Sequence, residues 1–193
     1  MAQLLNLRDL LQHEIEDLYS AEEQIIEALP KMVEAATDQQ LKTALNQHLE
    51  VTRRQKDRLD EVKKLLESEP EKEPGFLEKI FGKSKCKGTE GLIKEAEHIM
   101  KQAVEDSSVK DAAIIAAAQK VEHYEISSYG TARAFAMQLG LSRVEELLTQ
   151  TLNEEYEADD NLTALALFDV NLHAADGSTL SDSRKENREN KTR

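Results

Sequence analysis

The chain has 193 residues, of which 33% are charged and only 4% aromatic, with no Trp and a formal net charge of −13. That length allows one domain with a real core. The acidic balance argues against nucleic acid or an anionic membrane surface as the main partner, and fits a soluble protein that attracts cations. Seven Gly and three Pro leave little material for the turns of an all-β fold, and the abundant Ala, Leu, Glu, Lys and Gln favour helix. The single cysteine, Cys86, excludes an intrachain disulfide and a zinc site built from several thiolates, and points to a reducing cytosol. The N-terminal stretch has no uninterrupted apolar core of signal-peptide length, and no run approaches the ~18 apolar residues of a membrane span.

Four long segments carry a 3.6-residue apolar period. The first runs from about Leu4 to Ala36, with Asn6 as its cap and Pro30 inside it; the missing backbone donor at Pro30 predicts a kink. The second starts at "TDQQ", where Thr37 and Gln40 have capping-box spacing, and runs to about Ser68. Residues 69–88 hold two of the three prolines and three of the seven glycines and read as a connection. A shorter amphipathic helix, "TEGLIKEAEHIMKQAV", follows, with Leu92, Ala96, Ile99 and Ala103 on its apolar side. The third long helix starts near Ser108 and stops at Gly140, a left-handed C-terminal signal. The fourth starts at Ser142, with Glu145 completing a second capping box, and runs to about His173. The tail, residues 174–193, has almost nothing to bury and is expected to be disordered. Short turns make each pair of long helices an antiparallel hairpin, and the crossover, residues 69–107, is long enough to traverse a bundle. The expected fold is all-α, a four-helix bundle of ferritin-like type over residues 1–173.

A helix turns about 100° per residue, so the polar residues that share an apolar stripe can be read off. On the first helix Glu14 and Glu22 fall on the stripe of Leu11, Ile15, Leu18, Ile25 and Leu29, while Glu16, Glu23 and Glu27 fall outside it. On the second, His48, Thr52 and Gln55 lie on the stripe; on the third, Glu122, Glu125 and Tyr129; on the fourth, Thr151, Glu155 and Asp159. Counting outward from the hairpin turns sets Glu125 beside Glu155, Glu122 beside Asp159, and Glu22 between His48 and Thr52. Acids gathered in a bundle interior protonate or find a cation. Arg58 and Arg133 stand at the stripe margins, and no buried Lys or Arg is evident. The expected metal ligands are therefore Glu22, His48, Glu122, Glu125, Glu155 and Asp159. Oxygen donors with one imidazole suit iron or manganese, in a one- or two-metal centre. Tyr129 reads as packing, His98 and His123 as surface residues, Glu95-x-x-His98 as chance, and Cys86 as a surface thiol.

The segments "LRDLLQHEIEDLYSAEEQIIEALPKM", "HLEVTRRQKDRL", "AAAQKVEHYEISSYGTARAFAMQLG" and "LLTQTLNEEYEADDNLTALA" resemble the YciE/YciF-type ferritin-like stress proteins of bacteria, in order over roughly residues 5–170. The resemblance implies a ferritin-like core, a homodimer and expression under stress. The chain departs from well-understood di-iron bundles, which carry Glu-x-x-His on two helices. Here the corresponding positions read Thr52-x-x-Gln55, with His48 one turn earlier, and Glu155-x-x-Ala158, followed by Asp159. Two functions stand open at this point. One is a cytoplasmic metalloprotein that handles a redox metal in oxygen or peroxide defence. The other is a non-catalytic stress-induced helical dimer acting through protein interaction. No nucleic acid or membrane partner is expected.

Overall fold

Asn6 opens the first helix: its side-chain oxygen accepts the Asp9 N–H at 2.9 Å, satisfying one of the donors that every helix start leaves open. The computed structural model describes residues 4–67, 85–104 and 107–176. Helix α1 spans Leu7–Ala35 and continues through the exposed Pro30. The chain then turns over Ala36, Thr37 and Asp38 into α2, Gln39–Glu67.

The cap of α2 differs from its sequence expectation. Asp38, not Thr37, holds the first turn, accepting the Leu41 N–H at 2.8 Å. Thr37 is turned outward from α2 to a longer-range partner. Its N–H at 2.7 Å and its hydroxyl both donate to the Asp111 carboxylate, and the Asp38 N–H adds a third bond at 2.9 Å. A buried carboxylate is a better acceptor than a flexible glutamine amide, and it arrives from a part of the chain no local motif registers.

Helix α3, Lys87–Gln102, starts at Cys86, whose sulfur accepts the Thr89 N–H at 3.4 Å. Its inner face is Thr89, Leu92, Ala96 and Met100. Ile99, expected on that face, is exposed, and Ala103 lies past the helix end. Helix α4, Ser108–Gln138, is capped by the Ser107 hydroxyl. It closes in a Schellman arrangement: Leu141 N–H donates to the Ala136 carbonyl, Gly140 N–H to the Met137 carbonyl, and Gly140 adopts φ +69°. Helix α5, Ser142–Leu165, begins immediately. The Ser142–Glu145 capping box does not form, because Leu141 is the cap and no side chain bonds the first turn. Past Leu165 the helix widens into a π-turn, Ala166–Val170, and continues as α6, Asn171–Ala175, two residues beyond the expected end. The expected crossover within 69–84 and the tail from 177 onward lie outside the described residues.

The helices form a ring in the order α1, α2, α5, α4. Every neighbouring pair is antiparallel. Between α2 and α5 the partners run Gln55–Glu155, Arg58–Thr151 and Glu61–Arg143; between α1 and α4 they run from Thr37–Asp111 to Asp17–Tyr124. Helix α3 packs along the seam of α1 and α4. This is the ferritin-like four-helix bundle, and its apolar core comes in two halves. One contains Ile25, Leu29, Leu41, Leu45, Ile114 and Leu162. The other contains Leu11, Ile15, Leu59, Val62, Ala132 and Leu148. Between them lies a layer of polar side chains.

Asp111 is 1% exposed and joins the turn of the first hairpin to the start of α4. Asp111→Ala is expected to cost about 2–4 kcal/mol, because it strands several donors at once. Urea unfolding should show a lower midpoint at unchanged m-value.

Candidate metal centre

Each helix of the ring sends polar side chains into the layer. From α1 comes Glu22, from α2 His48, Thr52 and Gln55, from α4 Glu122, Glu125 and Tyr129, and from α5 Thr151 and Glu155. Glu22, Glu122, Glu125 and Glu155 are each no more than 2% exposed. Their inward direction follows from position: each shares a helical face with core leucines, isoleucines or alanines. Four residues, His48, Glu122, Glu125 and Glu155, present one ligand atom each within 4.8 Å of one another. His48 Nε2 lies 3.3 Å from Glu122 Oε1.

The hydrogen bonds show how little of this charge the protein itself satisfies. Tyr129 donates its hydroxyl to Glu22. Gln55 Nε2 donates to Glu155 Oε1 at 2.6 Å and to Glu154 at 3.2 Å. One oxygen of each of the four buried acids, Glu22 Oε2, Glu122 Oε2, Glu125 Oε1 and Glu155 Oε2, has no hydrogen-bond partner. Arg58, the nearest candidate cation, is spent elsewhere. Its two terminal nitrogens grip the Glu154 carboxylate at 2.9 Å each, and one also reaches Thr151. Arg133 forms no ion pair among the described residues.

Burial, followed by repulsion from Glu155, holds the carboxyls of Glu22, Glu122 and Glu125 well above the ordinary range. Glu155 is pushed up to about 7 by burial, offset in part by the hydrogen bonds it receives from Glu122 and Gln55. His48 is pushed down to about 4 by burial, so its imidazole is neutral and its ring nitrogen can act as a ligand near pH 7. Three carboxylates and one neutral imidazole, with an orphaned oxygen on each acid, fit a divalent ion.

The other expected ligands occupy the edges. Glu22 lies outside the four-residue group and interacts with Glu155 through its charge. Asp159 is only partly buried; its carboxylate accepts from Gln119 Nε2 at 3.1 Å and lies 3.6 Å from His123 Nε2. At the two α2 positions where a di-iron bundle would carry Glu-x-x-His, the polar atoms are committed: Thr52 donates to the His48 carbonyl at 2.9 Å, and Gln55 to the acids of α5.

Several features escaped the sequence reading. Glu16, placed outside the stripe, is half-buried, and burial pushes it up to about 7. Tyr129, read as packing, also donates into the cluster. Cys86 is buried rather than a surface thiol. Its sulfur lies 3.0 Å from Asp17 Oδ2 and 3.1 Å from the Tyr124 hydroxyl, and Ser20 and Gln24 bond its backbone. Gly88 permits this close approach, since a Cβ there would come within 2.8 Å of the Tyr124 ring. The signal available for the Arg58–Glu154 clamp was Arg58 at the stripe margin, but the partner lies 96 residues away.

A ferritin-like bundle with an acid cluster at mid-height defines the class. Within it the chain belongs to the family described as Domain of unknown function (DUF892), whose model matches residues 6–175. The chain is 43% identical over 168 residues to Protein YciF of Escherichia coli K12, covering 87% of this chain and 95% of that one. It superposes on the crystal structure of the E. coli stress protein YciF with a TM-score of 0.76 at 42% identity, covering 87% of this chain and 99% of that one. YcfI from Rhodopseudomonas palustris matches with the same TM-score and identity, over 86% and 98% of the two chains. A Xanthomonas campestris protein, at 18% identity and a TM-score of 0.65, shares the fold alone. Among the described residues no helix is long and apolar enough to cross a membrane.

The shifted acids set a pH dependence for the metal-free protein. Glu155 in the unfolded chain ionises near 4.5, while in the fold it keeps its proton to about 7. The native state therefore binds more protons across that window, and the stabilisation, full below 4.5, is lost as pH rises to about 7. The loss is on the order of 3 kcal/mol for this residue, and Glu155→Gln should flatten the slope. Urea titrations in chelator across the window measure it; stability climbing with pH would contradict it.

Proposed function

We propose that this protein is a cytoplasmic, stress-associated metalloprotein whose bundle interior holds iron or manganese for oxygen- or peroxide-related chemistry. One observation carries the reading: four buried carboxylates each retain an oxygen with no partner, in a layer whose nearest guanidinium already neutralises another acid. His48, Glu122, Glu125 and Glu155 form the inner ligand set, with Glu22 beside them and Asp159 at the edge. A bound ion supplies Lewis acidity and one-electron redox capacity. The chain's own residues supply the rest. Gln55 and Tyr129 orient Glu155 and Glu22 by hydrogen bonds, and the two apolar half-cores keep bulk water from the layer. The stress association rests on the similarity to the E. coli stress protein YciF. A homodimer is part of the reading, carried over from the family resemblance.

A second reading is favoured by one specific feature, the use of Thr52 and Gln55 as hydrogen-bond donors where a di-iron bundle carries ligands. In that reading the protein is a non-catalytic helical dimer whose acids stay protonated.

Metal analysis separates the two. Purified protein reconstituted with Fe(II) or Mn(II) should retain ~1–2 ions per chain. Glu125→Ala and His48→Ala should each weaken binding by more than the ~10–100-fold typical of losing an outer-shell partner. Retention of no metal by the folded wild-type dimer would establish the second reading.

A further inference from the structure

Where α5 widens into the π-turn, the bundle turns apolar side chains outward. Phe168 is 81% exposed, and Leu167 and Leu172 are 60% exposed each. Phe168 stands on the edge of a half-open groove between α2 and α5, together with Val51 and Arg54 of α2 and Glu157, Ala158 and Asn161 of α5. Most charges along the groove are matched: Glu154 with Arg58, Glu97 with Lys31, Asp169 with His173. Glu157 and Arg54 are exposed and form no ion pair among the described residues. One apolar ridge and one unmatched charge of each sign therefore line the opening.

The sequence that follows Asp176 carries the complementary set. Residues 177–188 read "GSTLSDSRKENR", in which Leu180 is the one large apolar side chain. From 177 to 193 there are five basic residues against three acidic, in a chain whose net charge is −13. The spacing also fits. An extended chain advances about 3.3 Å per residue and an α-helix about 1.5 Å. Run back from Asp176 along α6, the π-turn and α5, Leu180 would come level with Phe168, at about 13 against 12 Å, and Arg184 level with Glu157, at about 26 against 28 Å. Leu180, Arg184 and Glu186 are all even-numbered, so an extended chain would turn them to one side. The Gln55–Glu155 hydrogen bond sets Arg54 across the groove at this same level of α5, within reach of Glu186.

We propose that the groove between α2 and α5 is a docking site for the chain's own residues 177–188, with Leu180 on Phe168, Arg184 on Glu157 and Glu186 on Arg54. Attachment at Asp176 makes the docking intramolecular, with an effective concentration on the order of millimolar, so a few contacts suffice to fill the site. The inference does not rest on the metal reading, because none of these residues belongs to the acid layer.

The test is paramagnetic broadening in the full-length protein, kept in chelator so that no bound metal contributes. A nitroxide on Ser183→Cys is the probe; Cys86, 1% exposed, is shielded from the label. The label should broaden the amide signals of Ala158, Asn161 and Val51 and spare those of the opposite half of the bundle. Phe168→Asp, at an exposed position, should lower the docking equilibrium about tenfold or more, the worth of one apolar contact. Glu157→Arg or Arg184→Glu alone should lower it about two- to fivefold, as for an exposed ion pair. The two together should restore it, which loss of fold in either single variant would not do. Absence of broadening at the groove would overturn the proposal, as would broadening indifferent to Phe168→Asp or a charge swap that fails to rescue. Labelled protein without ¹⁵N, mixed with unlabelled ¹⁵N protein, completes the test: broadening in that mixture assigns the groove to a second copy's segment and also overturns in-chain docking.

Discussion

Four acids held out of water with no matching cation set the terms for this bundle. Glu22, Glu122, Glu125 and Glu155 come from three helices, and each is almost fully buried. Charge in such a place is costly unless something neutralises it. The protein offers two means. It can keep protons on the acids, as their raised affinities show for the metal-free fold, or it can exchange those protons for an ion. The same layer divides the hydrophobic core into two separate clusters, so its protonation or occupancy bears on the stability of the whole domain.

The surrounding polar residues behave like supports for that layer. Gln55 and Tyr129 each spend a donor on one of the acids. Arg58, which could have quenched the cluster, is diverted to Glu154 by a two-pronged ion pair. A guanidinium turned inward would have satisfied the acids permanently and removed the reason to bind anything. The diversion leaves the inner acids without a paired guanidinium.

The two halves of the core are not equivalent. The half containing Leu11, Leu59 and Leu148 has Ala132 and Ala136 among its buried residues, while the other has Ala36, Ala96, Ala117 and Ala118 beside Leu29, Leu41, Leu45 and Ile114. The continuation of α5 through a π-turn into α6 falls at the half that contains Leu162 and Val170, and Phe168 in that turn is exposed. Wide turns of this kind recur at functional sites in helices. The acid layer thus stands between two buried apolar clusters.

By itself the sequence determined the helices, their approximate ends and the polar positions of the mid-bundle layer, but not the half-burial of Glu16 or the burial of Asp111. The helices and that layer follow from a 3.6-residue period and from local stop signals such as Gly140, and both are properties of neighbouring residues. Capping was less legible. Thr37 and Ser142 have the right spacing for boxes, yet Asp111 takes the Thr37 N–H, and the Glu145 N–H bonds the Leu141 carbonyl instead of a serine hydroxyl. Tertiary structure alone decided that Cys86 is buried against Asp17 and Tyr124, that Arg58 faces Glu154, and that Asp159 stays at the edge with Gln119. A helical wheel fixes the angle of a side chain about its own axis. It does not fix which neighbour the side chain meets across the bundle, because that depends on helix spacing, depth and the competition among partners far apart in the chain.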